Sequence, residues 1–161
     1  MKPRYIVEVK EWRGIWKPQT RRQNQVAPNR ATNWQRQTIA ETFERIRSDP
    51  AHPWLAIGDF LDDWRFTPNS RRFELVNTGI AASGATLDLQ RWGAFCAAMV
   101  EWLCWQAELP FPPWTNRDEY RLAEPWFLYP GDLLRAWQLV TTPAPFKLRN
   151  IFGGDQMLDR A

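Results

Sequence analysis

The sequence predicts a mainly α-helical protein: a single irregular helical domain of six to seven helices around one long central helix. One long run lacks proline, and several shorter segments repeat apolar residues at three- and four-residue steps. Prolines also recur directly after residues that favour helix caps. No alternating pattern outside the N-terminal stretch is long enough to predict a sheet.

The central helix is predicted over residues 87–109. Thr86 is the expected N-cap and Pro110 the expected stop. Trp102 and Trp105 widen the apolar surface, so we expect burial of more than half of the helix circumference. One face carries the residues at helical steps, which are Trp92, Phe95, Cys96, Met99, Leu103 and Gln106.

Three helices are predicted before the central one. The first lies within residues 33–47, where Thr38 and Glu41 form a capping box if the helix begins late. Pro53 opens the second at a first helical position. A short helix then runs from Thr67 to about Val76, followed by a loop. The expected inward residues of these helices are Ile39, Phe43, Ile46, Trp54, Ile57, Phe60, Leu61, Trp64, Phe73 and Val76.

Two extended aromatic segments, 109–114 and 124–130, are predicted after the central helix because prolines restrict both. The first is expected to lay Phe111 and Trp114 across neighbouring helices, and one polar turn lies between the segments. A helix over 132–140 is then predicted, with an inward face of Leu133, Ala136, Trp137 and Val140. Thr142 and Pro143 begin a last short helix that ends near Arg149.

The N-terminal part of the chain differs from the rest in charge. Residues 1–47 carry eleven basic and four acidic residues, a net charge of +7, whereas the remainder has a net charge of −4. Tyr5, Val7 and Val9 alternate with polar residues as in a short strand. We therefore divide the chain into an extended or weakly β basic arm, residues 1–32, and a helical domain, residues 33–161.

The arm places cations and tryptophans close together. Such a mixture neutralises phosphates and stacks on bases. It also suits an acidic protein surface, or serves solubility alone, and no known nucleic-acid motif accompanies it. We expect a protein partner, with nucleic acid as the alternative. The candidate binding residues are Trp12, Arg13, Trp16, Lys17, Arg21, Arg22, Arg30, Trp34 and Arg36.

Few residues suggest catalysis. His52 has no neighbouring pattern of a catalytic triad. Asp59 and Asp63 lie one helical turn apart and form either a divalent metal site or a solvated helix face. Cys96 and Cys104 lie about 12 Å apart along one helix, too far for a disulfide. We expect a non-catalytic protein without cofactor or metal; a metal-dependent enzyme with His52 near the aspartates is the third hypothesis.

The sequence also bears on location. It has no apolar run of 18 residues, and its N-terminus lacks the apolar region and the cleavage site of a secretory signal. We therefore expect a cytoplasmic protein with no membrane association.

The C-terminal tail contains large apolar residues close to the chain end, where a free chain normally frays. We expect Phe146 and Phe152 to be buried beside the central helix and the segment 124–130. Lys147 and Arg149 are expected either to bind helix C-terminal carbonyls or to contact a partner. If the tail is exposed instead, it is a docking motif.

The C-terminal third combines Pro113-Trp114, Glu124-Pro125-Trp126-Phe127 and the tail from Pro143 to Phe152, PAPFKLRNIF. This set resembles a family of small, uncharacterised bacterial proteins whose domain ends in a P-x-x-F-[KR]-x-R-N-[IV]-F tail. The similarity spans about residues 41–161 and excludes the basic arm. The resemblance implies an association with mobile-element or toxin–antitoxin-like gene pairs, hence an antitoxin-like or accessory role. It implies no catalytic residue.

Overall fold

The computed structural model describes residues 36–81 and 86–159, and within these ranges the fold is mainly helical, as predicted. The whole predicted arm, residues 1–32, lies outside these ranges, and so does the candidate residue Trp34. The described chain has six α-helices: α1 (Ile39–Ser48), α2 (Pro53–Phe66), α3 (Asn69–Arg72), α4 (Leu87–Gln106), α5 (Arg135–Thr141) and α6 (Ala144–Lys147). It also has three 3-10 helices, Phe73–Leu75, Pro113–Asn116 and Asp118–Tyr120.

Helix α1 begins at the predicted capping box. The Thr38 hydroxyl accepts a hydrogen bond from the Glu41 amide, and the Glu41 carboxylate accepts one from the Thr38 amide at 2.8 Å. The helix therefore starts late within the predicted span. Its buried face packs against both α2 and the central helix α4.

The central helix α4 forms the core of the domain. Thr86 caps its start, and all eight residues from Gly93 to Val100 are buried, so the predicted burial around the helix is confirmed. The helix ends at Gln106, three residues before the predicted end. Glu108 adopts a left-handed conformation with φ of 55°, and the Leu109 amide donates to the Cys104 carbonyl at 2.8 Å. This Schellman motif ends the helix before Pro110. Gln106, which the spacing placed on the same face as Phe95 and Met99, is exposed.

A small parallel sheet, which was not predicted, joins the second aromatic segment to the tail. Strand β1 (Trp126–Phe127) pairs with strand β2 (Ile151–Phe152). The Trp126 amide donates to the Asn150 carbonyl at 2.8 Å, and the Leu128 amide donates to the Phe152 carbonyl at 2.9 Å. Strands of two residues are too short to produce a recognisable alternating pattern.

Two aromatic side chains, Trp114 of the first aromatic segment and Tyr120 in the turn after it, bind the chain that leads toward the central helix. The Trp114 indole donates to the Val76 carbonyl at 2.8 Å, and the Tyr120 hydroxyl donates to the Ile80 carbonyl at 2.6 Å. Burial, with a smaller contribution from Glu119, raises the pKa of Tyr120 to about 12. Phe111 is exposed, contrary to the expectation that it crosses neighbouring helices.

Arg149 connects three parts of the domain. Its guanidinium donates two hydrogen bonds to the Glu101 carboxylate of α4, at 2.7 and 3.0 Å. It also donates to the carbonyls of Thr115 and Pro145, at 2.7 and 2.9 Å. The side chains of Arg149 and Glu101 are only 6% and 14% exposed, so the pair lies largely away from water.

Removing Arg149 should destabilise the domain strongly. We expect Arg149→Ala to reduce the free energy of unfolding by about 3–5 kcal/mol, because Glu101 would remain buried without its partner. Arg71→Ala is the control, since the Arg71–Glu74 pair is exposed and should contribute less than about 1 kcal/mol. Urea denaturation measures both; equal losses would contradict the central role of Arg149.

Candidate functional site

Helix α5 exposes an apolar face toward solvent. Val140 and Leu139 are 75% and 46% exposed, Ala136 is exposed, and Leu133 in the preceding turn is 85% exposed. At 3.6 residues per turn, the three helical positions fall within an arc of about 100°. We call these four residues, Leu133, Ala136, Leu139 and Val140, the α5 face.

The orientation of α5 differs from the predicted one, although Trp137 is half-buried against Gly154, in agreement with its predicted inward position. The sequence pattern placed Leu133, Ala136 and Val140 against the core, but all three are exposed. The fully buried residue of the helix is instead the polar Gln138. The helix is therefore amphipathic, as its spacing indicates, and its apolar side points outward.

Gln138 explains this orientation. Its side-chain oxygen accepts from the Tyr129 amide at 3.2 Å, and its side-chain nitrogen donates to the Tyr129 carbonyl at 3.0 Å. The side chain thus satisfies both backbone groups of one residue, as a neighbouring strand would. A buried amide is stable only when its polar atoms are paired in this way.

Thr142 fixes the C-terminal end of the helix to the tail. Its hydroxyl donates to the Gln138 carbonyl at 2.6 Å and accepts from the amides of Gly153 and Gly154, at 3.0 and 2.8 Å. Gly154 has a φ of +79°, and a Cβ there would overlap the Trp137 ring. The polar side of α5 and the Trp137 ring therefore both contact the two glycines of the tail.

An aromatic pair lies beside α5. The rings of Phe127 and Phe152 stack with centroids 5.1 Å apart, and the Arg135 guanidinium lies 4.9 Å from the centre of the Phe127 ring. Phe152 is half-buried in this pair, whereas we expected it to be buried beside the central helix.

The other predicted tail residues have structural contacts. Phe146 is fully buried and packs edge-on against Phe95 of the central helix, at 5.2 Å between centroids. The Lys147 ammonium donates to the Val140 carbonyl at 2.8 Å, at the C-terminal end of α5. Together with Arg149, these residues fix the tail to the body of the domain.

A second group of aromatic residues lies near the start of α2. Trp54, expected to face inward, is 43% exposed and packs edge-on against Trp92 at 5.3 Å. Trp92 contacts Trp126 in the same manner at 5.1 Å, and the Arg91 guanidinium lies 5.9 Å from the Trp126 ring. Because these rings contact one another edge to face, the group contributes mainly to packing.

The residues proposed for chemistry have separate partners. Asp59 pairs with Arg45 at 2.9 Å, and Asp63 accepts from the Gln37 amide at 2.7 Å. The exposed His52 ring lies 3.1 Å from Asp49. Within ranges 36–81 and 86–159, no three His, Cys, Asp or Glu side chains converge to hold a metal ion. Arg36, the described member of the basic set, approaches the Phe66 carbonyl at 3.5 Å.

Both cysteines are buried, and neither forms a disulfide, as their helical spacing predicted. Burial raises the pKa of Cys96 to about 12 and, with a contribution from Glu101, that of Cys104 to about 11. Because the thiolate is the reactive form, both thiols are poor nucleophiles near neutral pH.

A small cleft of about 150 Å³ lies beside the Arg149–Glu101 pair, lined by these two residues and by Asn116, Arg121 and Leu148. It is smaller than the roughly 300–1,000 Å³ of ordinary ligand pockets. Its buried charges pair with each other, although the Nε atom of Arg149 has no hydrogen-bond partner among the described residues. The cleft is therefore a weaker candidate for binding than the α5 face.

The described chain is a mainly helical domain in which α5 exposes an apolar face. Comparison of the chain with protein-family models, with curated proteins and with solved structures finds no match. In the part of the chain that is described, no helix combines the length and the apolar character needed to cross a membrane.

The orientation of α5 should depend on Gln138. We expect Gln138→Ala to lower the free energy of unfolding by about 1–3 kcal/mol, because the Tyr129 amide and carbonyl lose their partner. Gln156→Ala is the control, since Gln156 is exposed and should change stability by less than about 0.5 kcal/mol. Chemical denaturation compares the two; a Gln138 variant as stable as the control would contradict the anchoring role.

Proposed function

We propose that this protein binds another protein through the α5 face. The observation that carries the proposal is the orientation of α5. Its aliphatic side chains are exposed to solvent, although their spacing is typical of a buried helix face. Burying one large aliphatic side chain is worth roughly 1.5–3 kcal/mol. A partner that covers Leu133 and Val140 would gain this free energy of burial, which the domain alone does not gain at these positions.

The surroundings of the face support the same proposal. Protein interfaces combine an apolar centre with a polar rim. Here the rim contains Asp132 and Arg135 at one end of α5 and Lys147 at the other. The Phe127–Phe152 pair beside Arg135 adds aromatic surface of the kind that is enriched in binding sites.

The basic arm is a second candidate region for binding. Residues 1–32 carry eight basic and two acidic residues, a net charge of +6, while the described ranges 36–81 and 86–159 carry twelve basic and sixteen acidic residues, a net charge of −4. This asymmetry favours a contact between the arm residues and an acidic protein or, as a second function, nucleic acid. An antitoxin-like or accessory role is a specific form of the proposed binding function.

The α5 face is tested by affinity capture from cells of the natural host. We expect the tagged full-length chain to recover a defined partner. Recovery should fall at least about tenfold in the Leu133→Asp, Val140→Asp double variant, because two buried charges oppose association. Leu55→Asp is the control, since Leu55 is an exposed leucine of α2 and its replacement should leave recovery unchanged.

The same experiment separates the alternatives. Equal recovery by the double variant and the wild type would contradict binding through the α5 face. Recovery that nuclease treatment abolishes would identify nucleic acid as the ligand instead. Circular dichroism melting of each variant shows whether it folds as the wild type does.

A further inference from the structure

We propose that the partner of the α5 face is a second copy of this chain, and that two α5 helices pack antiparallel about a two-fold axis. This inference rests on the proposed function, since it assigns an occupant to the same face. It is argued from the spacing of the exposed residues and from the charges at the two ends of the helix.

The spacing of the face is self-complementary. Ala136 and Val140 lie one helical turn apart on α5, and Leu133 lies in the turn just before the helix. Together they follow the i, i+3, i+7 spacing of a seam between paired helices. In a two-fold contact, if one residue of the first copy contacts a second residue of the other copy, the reverse contact also forms. An axis near Ala136 places Leu133 of each copy against Val140 of the other. The small Ala136 side chain at the axis lets the two helices approach closely.

The charges favour the same arrangement. Asp132 precedes α5 and its side chain is 92% exposed, although it also contacts Arg135 at 3.2 Å. The Lys147 ammonium lies at the Val140 carbonyl, near the opposite end of the helix. Antiparallel packing brings Asp132 of each copy toward Lys147 of the other, twice by symmetry. Parallel packing would bring like charges together, which opposes association.

The size of the surface predicts a weak dimer. Four residues of one short helix and its preceding turn cover much less than the roughly 800 Å² per partner that a standard interface buries. The adjacent Arg135 and the Phe127–Phe152 pair extend the available area. We therefore expect reversible association in the micromolar range and a measurable monomer population at low concentration.

Sedimentation velocity of the full-length chain tests the proposal over low to high micromolar concentrations. The wild type should shift from monomer to dimer as concentration rises. Ala136→Asp should weaken dimerisation at least about tenfold, because two carboxylates would face each other at the axis. Ala51→Asp makes the same change at an exposed position between α1 and α2 and should dimerise as the wild type does.

Charge exchange tests the antiparallel geometry. Asp132→Lys alone should weaken dimerisation, because it places two cations together at each end of the contact. Adding Lys147→Asp to that variant should restore most of the lost affinity. If the second change weakens association further, the predicted pairing is wrong.

Several outcomes overturn the proposal. It is wrong if the wild type stays monomeric at every concentration, or if Ala136→Asp dimerises as the wild type does. It is also wrong if only a variant lacking residues 1–32 dimerises, because the arm would then occupy the face. A monomeric wild type whose captured partner is still lost in the Leu133→Asp, Val140→Asp variant would refute the dimer and leave the proposed function standing.

Discussion

The buried ion pair between Arg149 and Glu101 is the contact on which the C-terminal half of the domain depends. Through two bonds to the central helix and two to backbone carbonyls, one side chain fixes the tail to α4 and to the segment after it. A buried charge pair adds little net stability over apolar packing, but each partner becomes costly when the other is lost. The pair therefore acts mainly by specifying where the tail lies.

The position of the tail in turn sets the orientation of α5. The residues that follow Arg149 form strand β2 and the glycines that bind Thr142. Gln138 then pairs with the backbone of Tyr129, just beyond strand β1. These polar contacts occupy the inner side of the helix, so its aliphatic side chains have no place in the core. The exposed face is thus a consequence of specific hydrogen bonds beneath the helix.

Local signals in the sequence predicted the helices well. The Thr38 capping box and the Thr86 cap were confirmed because capping depends on neighbouring residues alone. The outward direction of α5 was not predictable, because periodicity shows that a helix has two sides without showing which side is inner. Gln138 gave the only hint, as a polar residue flanked by apolar ones, and its partner Tyr129 is identified only by the tertiary fold. The strand pairing likewise joins segments too distant and too short for sequence patterns.

The most direct test of this account is radical footprinting of the full-length chain, read by mass spectrometry at several protein concentrations. We expect Leu133, Leu139 and Val140 to be labelled far more than the buried Ile46 in dilute samples, and labelling of these three residues to fall as concentration rises and the α5 face becomes covered. Labelling as low as that of Ile46 at every concentration would mean that α5 turns its apolar side toward the core, and would contradict the account.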